Sequence, residues 1–297
     1  MFKRVVFLIS LISLVGWSSV ALCEIKVGVL AKRGPEVCKQ RWSQLGEYLS
    51  KQVGEDVSFV PLKFSEVLKF CEFNPRHFLF ANSWLYVRAN VRHGAKAMVT
   101  VNNTATGTLF GGVILTRKLS GIRTLEQVRG KSIMCPKFSS AGGWIFQKGV
   151  LVGHGIRPEK DCDTLLEGRT HDAVVLAVKE GKVDVGTVRT NILERMSAAN
   201  KIDLDDFVII NETPHEGFPE KCSTPLYPAW PIASLGETPP DLADRMKKAL
   251  IDIPKNHPAL KPCSVDEFVP ALSYDPLVKL LQFLRVPPFR YAQRKLN

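Results

Sequence analysis

Short apolar runs alternate with longer amphipathic segments from residue 25 onward, and this alternation limits the possible folds more than any other feature. The first strand candidates are residues 25–30, 57–62, 77–81 and 97–101. Between the first two, Cys38, Trp42, Leu45 and Leu49 recur at helical spacing and form one buried stripe. A strand–helix alternation of this kind favours parallel sheets covered by helices, so we predict an α/β fold.

A second series of the same kind follows. It opens with an extended segment at 108–116 that contains Gly111 and Gly112. We predict helices that begin near Gly142, His171 and Thr190, and strands at 132–135, 163–166, 183–188 and, leaving this block, 207–211. The remainder predicts a strand at 231–235 and helices at 240–253 and 274–284.

A middle block is therefore inserted between two outer segments. We expect one lobe from residues 24–108 and 209–290 and a second lobe from 109–208. The chain then crosses between the lobes twice, near 108–114 and 205–211, which is a suitable arrangement for a hinge.

Composition agrees with a folded globule of two units. The chain has 297 residues, of which 45% are hydrophobic and 23% charged, and its mean hydropathy is +0.00. These values exclude a disordered, collagen-like or multi-span membrane protein.

The first residues predict export. Lys3 and Arg4 precede an apolar run that is too short to span a membrane, and Ser19 and Ala21 offer a cleavage site. We therefore predict a signal peptide over residues 1–22 and a periplasmic product. Cleavage after Cys23 and lipidation of Cys23 are alternatives, the second weakened by bulky Leu22.

Charge and cysteine content narrow the function. The full chain carries +11, and removing residues 1–23 leaves 38 − 29 = +9, so an anionic partner is expected. Export and the scatter of basic residues disfavour nucleic acid. Six cysteines remain in an oxidising compartment, where they could form disulfides or serve as small buried hydrophobes. Their spacing supports no metal site.

In open α/β sheets, ligands bind beyond the carboxyl ends of the strands. After the first strand of the middle block, Ser139, Ser140 and Gly142 occupy a predicted helix start, where hydroxyls and free N–H groups can hold an anion. A simple helix cap is the alternative for either serine alone. His171 and Arg189 follow the next strands and are expected at the same rim.

The outer unit offers two further candidate positions. Arg33 follows its first strand, and its alternative interpretation is a solvated loop residue. Asn82 follows its third strand, in the segment that ends at Tyr86.

Several strings together resemble one family: Leu30 to Gly34, Asn82 with Tyr86, Phe138 to Trp144, Gly168 to Val175, Gly186 to Thr190 and Leu226 to Pro231. They are similar to phosphate/phosphite/phosphonate-type periplasmic binding proteins, especially the branch that includes the sensor domains of tetrathionate-type histidine kinases. The likeness covers residues 25–288.

The resemblance implies a type II periplasmic-binding fold, with two α/β lobes joined by a two-strand hinge, that binds an anion without catalysis or a cofactor. The family's phosphonate binders match Ser139, Ser140, Gly142 and His171, and a tyrosine of the first lobe matches Tyr86. Ala141 replaces a third polar residue and Trp144 follows it, which suggests a sulfur oxyanion as an alternative to a phosphonate.

We therefore expect a monomeric solute-binding protein whose membrane partner is an ABC permease. An accessory sensor for a membrane histidine kinase is an alternative. A cysteine-dependent enzyme, using Cys135 with His171, is the disfavoured third possibility.

Overall fold

The computed structural model describes residues 24–31 and 34–289. The predicted signal peptide, Cys23 and Arg33 lie outside these residues. No helix in the described ranges is both long and apolar enough to cross a membrane.

Two mixed sheets and a short ribbon make up the β-structure of residues 24–31 and 34–289. The strands are β1 (Ile25–Leu30), β2 (Val57–Leu62), β3 (Phe78–Phe80), β4 (Lys96–Asn103), β5 (Leu109–Phe110), β6 (Gly112–Arg117), β7 (Ser132–Cys135), β8 (Thr164–Glu167), β9 (Val185–Arg189), β10 (Phe207–Ile210), β11 (Tyr227–Pro228), β12 (Pro231–Ser234) and β13 (Val265–Pro270). The first sheet has the order β13-β4-β12-β3-β1-β2, and the second β10-β6-β9-β7-β8.

The helices cover these sheets. They are α1 (Pro35–Val53), α2 (Val67–Phe73), α3 (Ser83–His93), α4 (Phe146–Gly153), α5 (Pro158–Asp161), α6 (His171–Lys179), α7 (Ile192–Ala198), α8 (Pro240–Ile251) and α9 (Asp275–Phe283). The strands β1, β2 and β7 and the start of α6 coincide with the sequence prediction, because each has a clear apolar run or a capping residue at its boundary.

The expectation of parallel sheets is corrected by the strand directions. β12 and β13 run antiparallel to β4 in the first sheet, and β6 and β10 are antiparallel in the second. β6 and β12 are the strands that follow the chain crossings between the units, and they enter their sheets from the opposite end.

The two units are connected by β5 and β11, which pair Leu109 with Pro228 and Phe110 with Tyr227. Gly111 and Gly112 follow β5 directly. Neither position has room for a side chain, because a Cβ on Gly111 would lie 2.5 Å from Cys222 Sγ and one on Gly112 would overlap the Gln147 amide. The predicted return crossing at 205–211 is too early. Those residues form β10, which pairs with β6 of the second sheet, and the chain rejoins the first unit at β11.

The apolar core has three parts. One lies in the first unit between α1, α8 and the sheet, one in the second unit around α6 and α7, and a third joins residues of α3, α4 and α9 from both units. All six cysteines of the described chain are free thiols, and five of them are buried. Between the two expectations for these residues, the structure supports small buried hydrophobes.

Candidate functional site

A wide helical turn opens the first helix of the second unit. Residues Ala141–Ile145 form a π-helical turn that continues into α4. The Ser140 hydroxyl accepts a hydrogen bond from Gly143 N at 3.2 Å and so caps the turn. The glycine pair allows close approach, since a Cβ on Gly143 would lie 2.5 Å from the Pro136 ring and 3.0 Å from His171 Cε1. The turn therefore places Ser140 beside the His171 imidazole.

His171 is the first residue of α6, which Thr170 caps through a hydrogen bond from Ala173 N at 3.1 Å. Its Nδ1 accepts the Arg189 backbone N–H at 3.3 Å. An imidazole that accepts at Nδ1 carries its proton on Nε2 in the neutral form, so His171 is held as a donor through that atom.

Arg189 ends β9 and packs against Gly142. A Cβ added to Gly142 would lie 2.9 Å from Arg189 Cγ. Its Nε is shielded from solvent and has no hydrogen-bond partner. Burial lowers the pKa of the guanidinium, the nearby Arg195 lowers it further, and only Glu220 opposes these effects. Among the described residues no carboxylate lies within 4 Å of its nitrogens. The side chain is thus a half-buried cation with a shielded Nε, and Glu220, the acidic group that opposes the pKa shift, lies beyond ion-pair distance.

Ser139 and an aromatic pair border the turn. Ser139 is half-buried, and its hydroxyl makes no hydrogen bond within the described part of the chain. Phe138 is 39% exposed and meets Trp144 edge-to-face with ring centroids 5.5 Å apart. The site therefore offers an uncommitted hydroxyl next to a polarisable apolar wall.

Four of the predicted site residues, Ser140, Gly142, His171 and Arg189, lie together in the second unit. Their separation in the sequence is bridged by β7 and β9, which are neighbours in the sheet and end at the same edge. The carboxyl edge of this sheet therefore carries donors from three segments.

The first-unit candidates have structural partners. Asn82 accepts Leu85 N at 2.9 Å and caps α3. The Tyr86 hydroxyl accepts Ala97 N at 3.2 Å, and its ring packs against Tyr274 with centroids 4.7 Å apart. Burial raises the Tyr86 pKa. The Tyr86 side chain is therefore directed into the core of its own unit, and Arg33 lies outside the described residues.

Sequence reasoning missed two residues that hold the site together. Gln147 is fully buried, and its Nε2 donates to Gly142 O and Val188 O at 2.7 Å each and approaches Val113 O at 3.4 Å. Thr187 Oγ1 donates to Gly143 O at 2.6 Å. Two sequence features could have indicated them. Gln147 is an amide in an otherwise largely apolar helix, and Thr187 is a hydroxyl residue two positions before Arg189, on the same face of the strand.

The units also touch near the site. Asn191 Nδ2, just before α7, donates to Ala105 O at 3.1 Å. Ala105 lies in the turn after β4, where Thr104 bonds to Asp266 of the first sheet. This bond spans the gap between the two units.

The family model of the phosphonate ABC transporter periplasmic substrate-binding protein matches residues 27–275. The chain belongs to this family. The match covers both sheets, the connecting ribbon and every candidate site residue, and the family is one of periplasmic binding proteins rather than enzymes.

One relative in sequence is part of a sensor kinase. The chain is 32% identical over 237 residues to the tetrathionate sensor histidine kinase TtrS of Salmonella typhimurium, covering 77% of this chain and 39% of the kinase. It thus spans about two-fifths of that relative.

Two solved structures share the fold. PhnD1 of Prochlorococcus marinus in complex with methylphosphonate has a TM-score of 0.68 at 15% identity, covering 88% of this chain and 98% of that one. A binding protein component of an ABC phosphonate transporter from Pseudomonas aeruginosa has a TM-score of 0.64 at 16% identity, covering 88% and 86%. The present chain therefore has the two-lobed periplasmic-binding architecture of these structures.

Proposed function

We propose that this chain is an exported binding protein that captures a small oxyanion at the carboxyl edge of its second sheet and delivers it to an ABC importer. The main support is the Arg189 side chain, since its Nε is shielded, it has no carboxylate within ion-pair distance among the described residues, and it lies beside the Ser140 turn and His171. A buried cation without a counter-charge is costly, and an anionic ligand would offset that cost.

The donors present are sufficient for useful affinity. Arg189, the Ser139 hydroxyl and the N–H groups at the start of the turn can supply four or five bonds to a charged ligand, and His171 stays a predicted contact. At about 1.5–3 kcal/mol each, less ordering costs, these bonds reach the ~8 kcal/mol of a micromolar complex. Arg33, Asn82 and Tyr86 are the contacts predicted from the first lobe, of which Asn82 and Tyr86 already form hydrogen bonds within that lobe.

For the ligand we propose a sulfur oxyanion, such as thiosulfate or tetrathionate, over a phosphonate. The Phe138–Trp144 pair places polarisable rings next to the turn, and aromatic edges interact favourably with sulfur. The sensor relative, which is named for tetrathionate, is also twice as similar in sequence as the phosphonate-binding structures.

A ligand panel tests this proposal. Thermal unfolding of the purified protein is measured with sulfate, thiosulfate, tetrathionate, phosphate and methylphosphonate, because a bound ligand raises the melting temperature by mass action. We expect the largest shift with a sulfur oxyanion, and calorimetry should show it weakened in Ser139→Ala. A shift with phosphonate alone would reassign the ligand, and no shift with any anion would contradict oxyanion binding.

A sensing role is the second candidate, and the likeness to a sensor kinase supports it. In that case the liganded protein would bind the periplasmic part of a kinase and not a permease. Co-purification of the tagged protein with and without ligand, from cells that express each candidate partner, separates the two roles.

The cysteine-enzyme alternative has little physical support. Burial raises the Cys135 pKa to about 12, and only the thiolate form is an effective nucleophile.

A further inference from the structure

A groove of about 490 Å³ lies between the two units, away from the oxyanion site. One wall is formed by α4 and α5, and the other by the end of α9 and the two residues that follow it. Its lining includes Lys148, Arg157, Lys160, Phe283 and Arg285. The units touch beside it, where Leu280 of α9 packs directly against Gly149 of α4.

The groove carries an excess of positive charge. Glu159 is its acidic lining residue, and it already pairs with Lys148. Arg157, Lys160 and Arg285 have no carboxylate within 4 Å among the described residues. Three cations of this concave surface are thus available to an anionic partner.

The apolar part of the groove is also open to solvent. Phe283, at the end of α9, is 56% exposed. Arg285 follows with φ +50, a left-handed conformation in which glycine is usual after a helix. Arg285 therefore occupies a strained backbone position close to the exposed Phe283 ring, although a glycine there would be free of strain.

We propose that this groove binds an acidic peptide segment with a large apolar side chain, presented by a partner protein. Charge argues against other occupants from this chain. Residues 290–297 contain Arg290, Arg294 and Lys295 and no acidic residue, and a second copy carries the same net positive charge. Because the two walls belong to different units, peptide affinity depends on their relative position and is linked to binding elsewhere between the units.

Fluorescence anisotropy with a labelled octapeptide of six glutamates and two leucines tests the proposal on the full mature protein. We expect saturable binding that weakens at least tenfold in Arg157→Gln/Lys160→Gln/Arg285→Gln. The matched control is Lys69→Gln/Lys247→Gln/Lys261→Gln, which removes the same charge from exposed, unpaired lysines of the first unit. The control should bind the peptide within twofold of the unmodified protein.

Phe283→Ala changes no charge and should weaken peptide binding at least threefold. Circular dichroism and oxyanion-induced thermal shifts test whether each variant is folded. The proposal fails if both triple variants weaken binding equally, if Phe283→Ala has no effect, or if the unmodified protein shows no binding at millimolar peptide. It also fails if vesicles of anionic phosphatidylglycerol, rather than the peptide, show the groove-dependent binding.

Discussion

Replacing Arg189 by methionine should weaken oxyanion binding and at the same time stabilise the unliganded protein. The shielded Nε has no partner, and burial lowers the guanidinium pKa, so the charged form is disfavoured by folding. An unsatisfied buried donor costs about 1–3 kcal/mol. At about 2–4 °C per kcal/mol for a protein near this size, we expect a melting temperature several degrees higher without ligand.

Binding should change in the opposite direction. A hydrogen bond to a charged group contributes about 1.5–3 kcal/mol, so its loss weakens affinity by roughly 10- to 150-fold. Thermal unfolding with and without the best oxyanion, followed by calorimetry, measures both effects. Arg195→Met is the matched control, because it removes an equal charge from an exposed residue paired with Asp172 in the same unit. If Arg189→Met bound the oxyanion as well as Arg195→Met does, the argument from the shielded Arg189 Nε would be refuted.

Other perturbations test separate parts of the structure. Ser140→Asn and Ser140→Asp should both keep the cap and the stability within about 0.5 kcal/mol, but the carboxylate should weaken oxyanion binding at least tenfold more in calorimetry. Gly112→Ala should destabilise the protein by several kcal/mol in urea unfolding, and much less in a Gln147→Ala background, since the added methyl group meets the Gln147 amide; additive effects would contradict this contact. Stability should fall as pH rises from about 9 towards 12, because burial raises the Cys135 pKa from 9.0 to about 12 and the folded state holds that proton more tightly than the unfolded chain; melting curves that stay level from pH 8 to 10.5, relative to Cys135→Ala, would disprove it. Asn191→Ala should lose its bond across the units and increase the radius of gyration of the unliganded protein in X-ray scattering, whereas an unchanged radius would show that the bond does not hold them together.

Local sequence patterns predicted much of the fold. Strands such as Ile25–Leu30 and Ser132–Cys135 appear as expected because each is a short, largely apolar run; every residue but Lys26 is buried in the first, and Ile133 and Cys135 are buried in the second. The strand Val265–Pro270 was missed, since it lies at the edge of its sheet and four of its six residues are not buried. The return crossing was misplaced for a different reason. An apolar run at 207–211 indicates a strand but cannot show which sheet the strand joins.

The candidate site was predictable only in part. The helix starts at Ser140 and His171 could be read from capping residues and glycines, because those signals are local. The shielding of Arg189 Nε and the three-way role of Gln147 depend on segments far apart in the sequence, such as Val113 and Val188, which lie 34 and 41 residues from Gln147. For Asn82 and Tyr86 the sequence offers two interpretations that it cannot separate. A polar group after a strand can bind a ligand, or it can cap a helix as Asn82 does or bond within the core as Tyr86 does.

The shielding of the native thiols has a practical consequence. Of the six cysteines in the described ranges, five are buried, and burial raises the pKa of the half-buried Cys162 to about 11, so at neutral pH these six thiols should react only slowly with a maleimide dye. A single cysteine introduced at Phe138, on the rim of the turn, could then carry a fluorophore without removal of the others. The protein could in this way become an optical reporter of its own ligand.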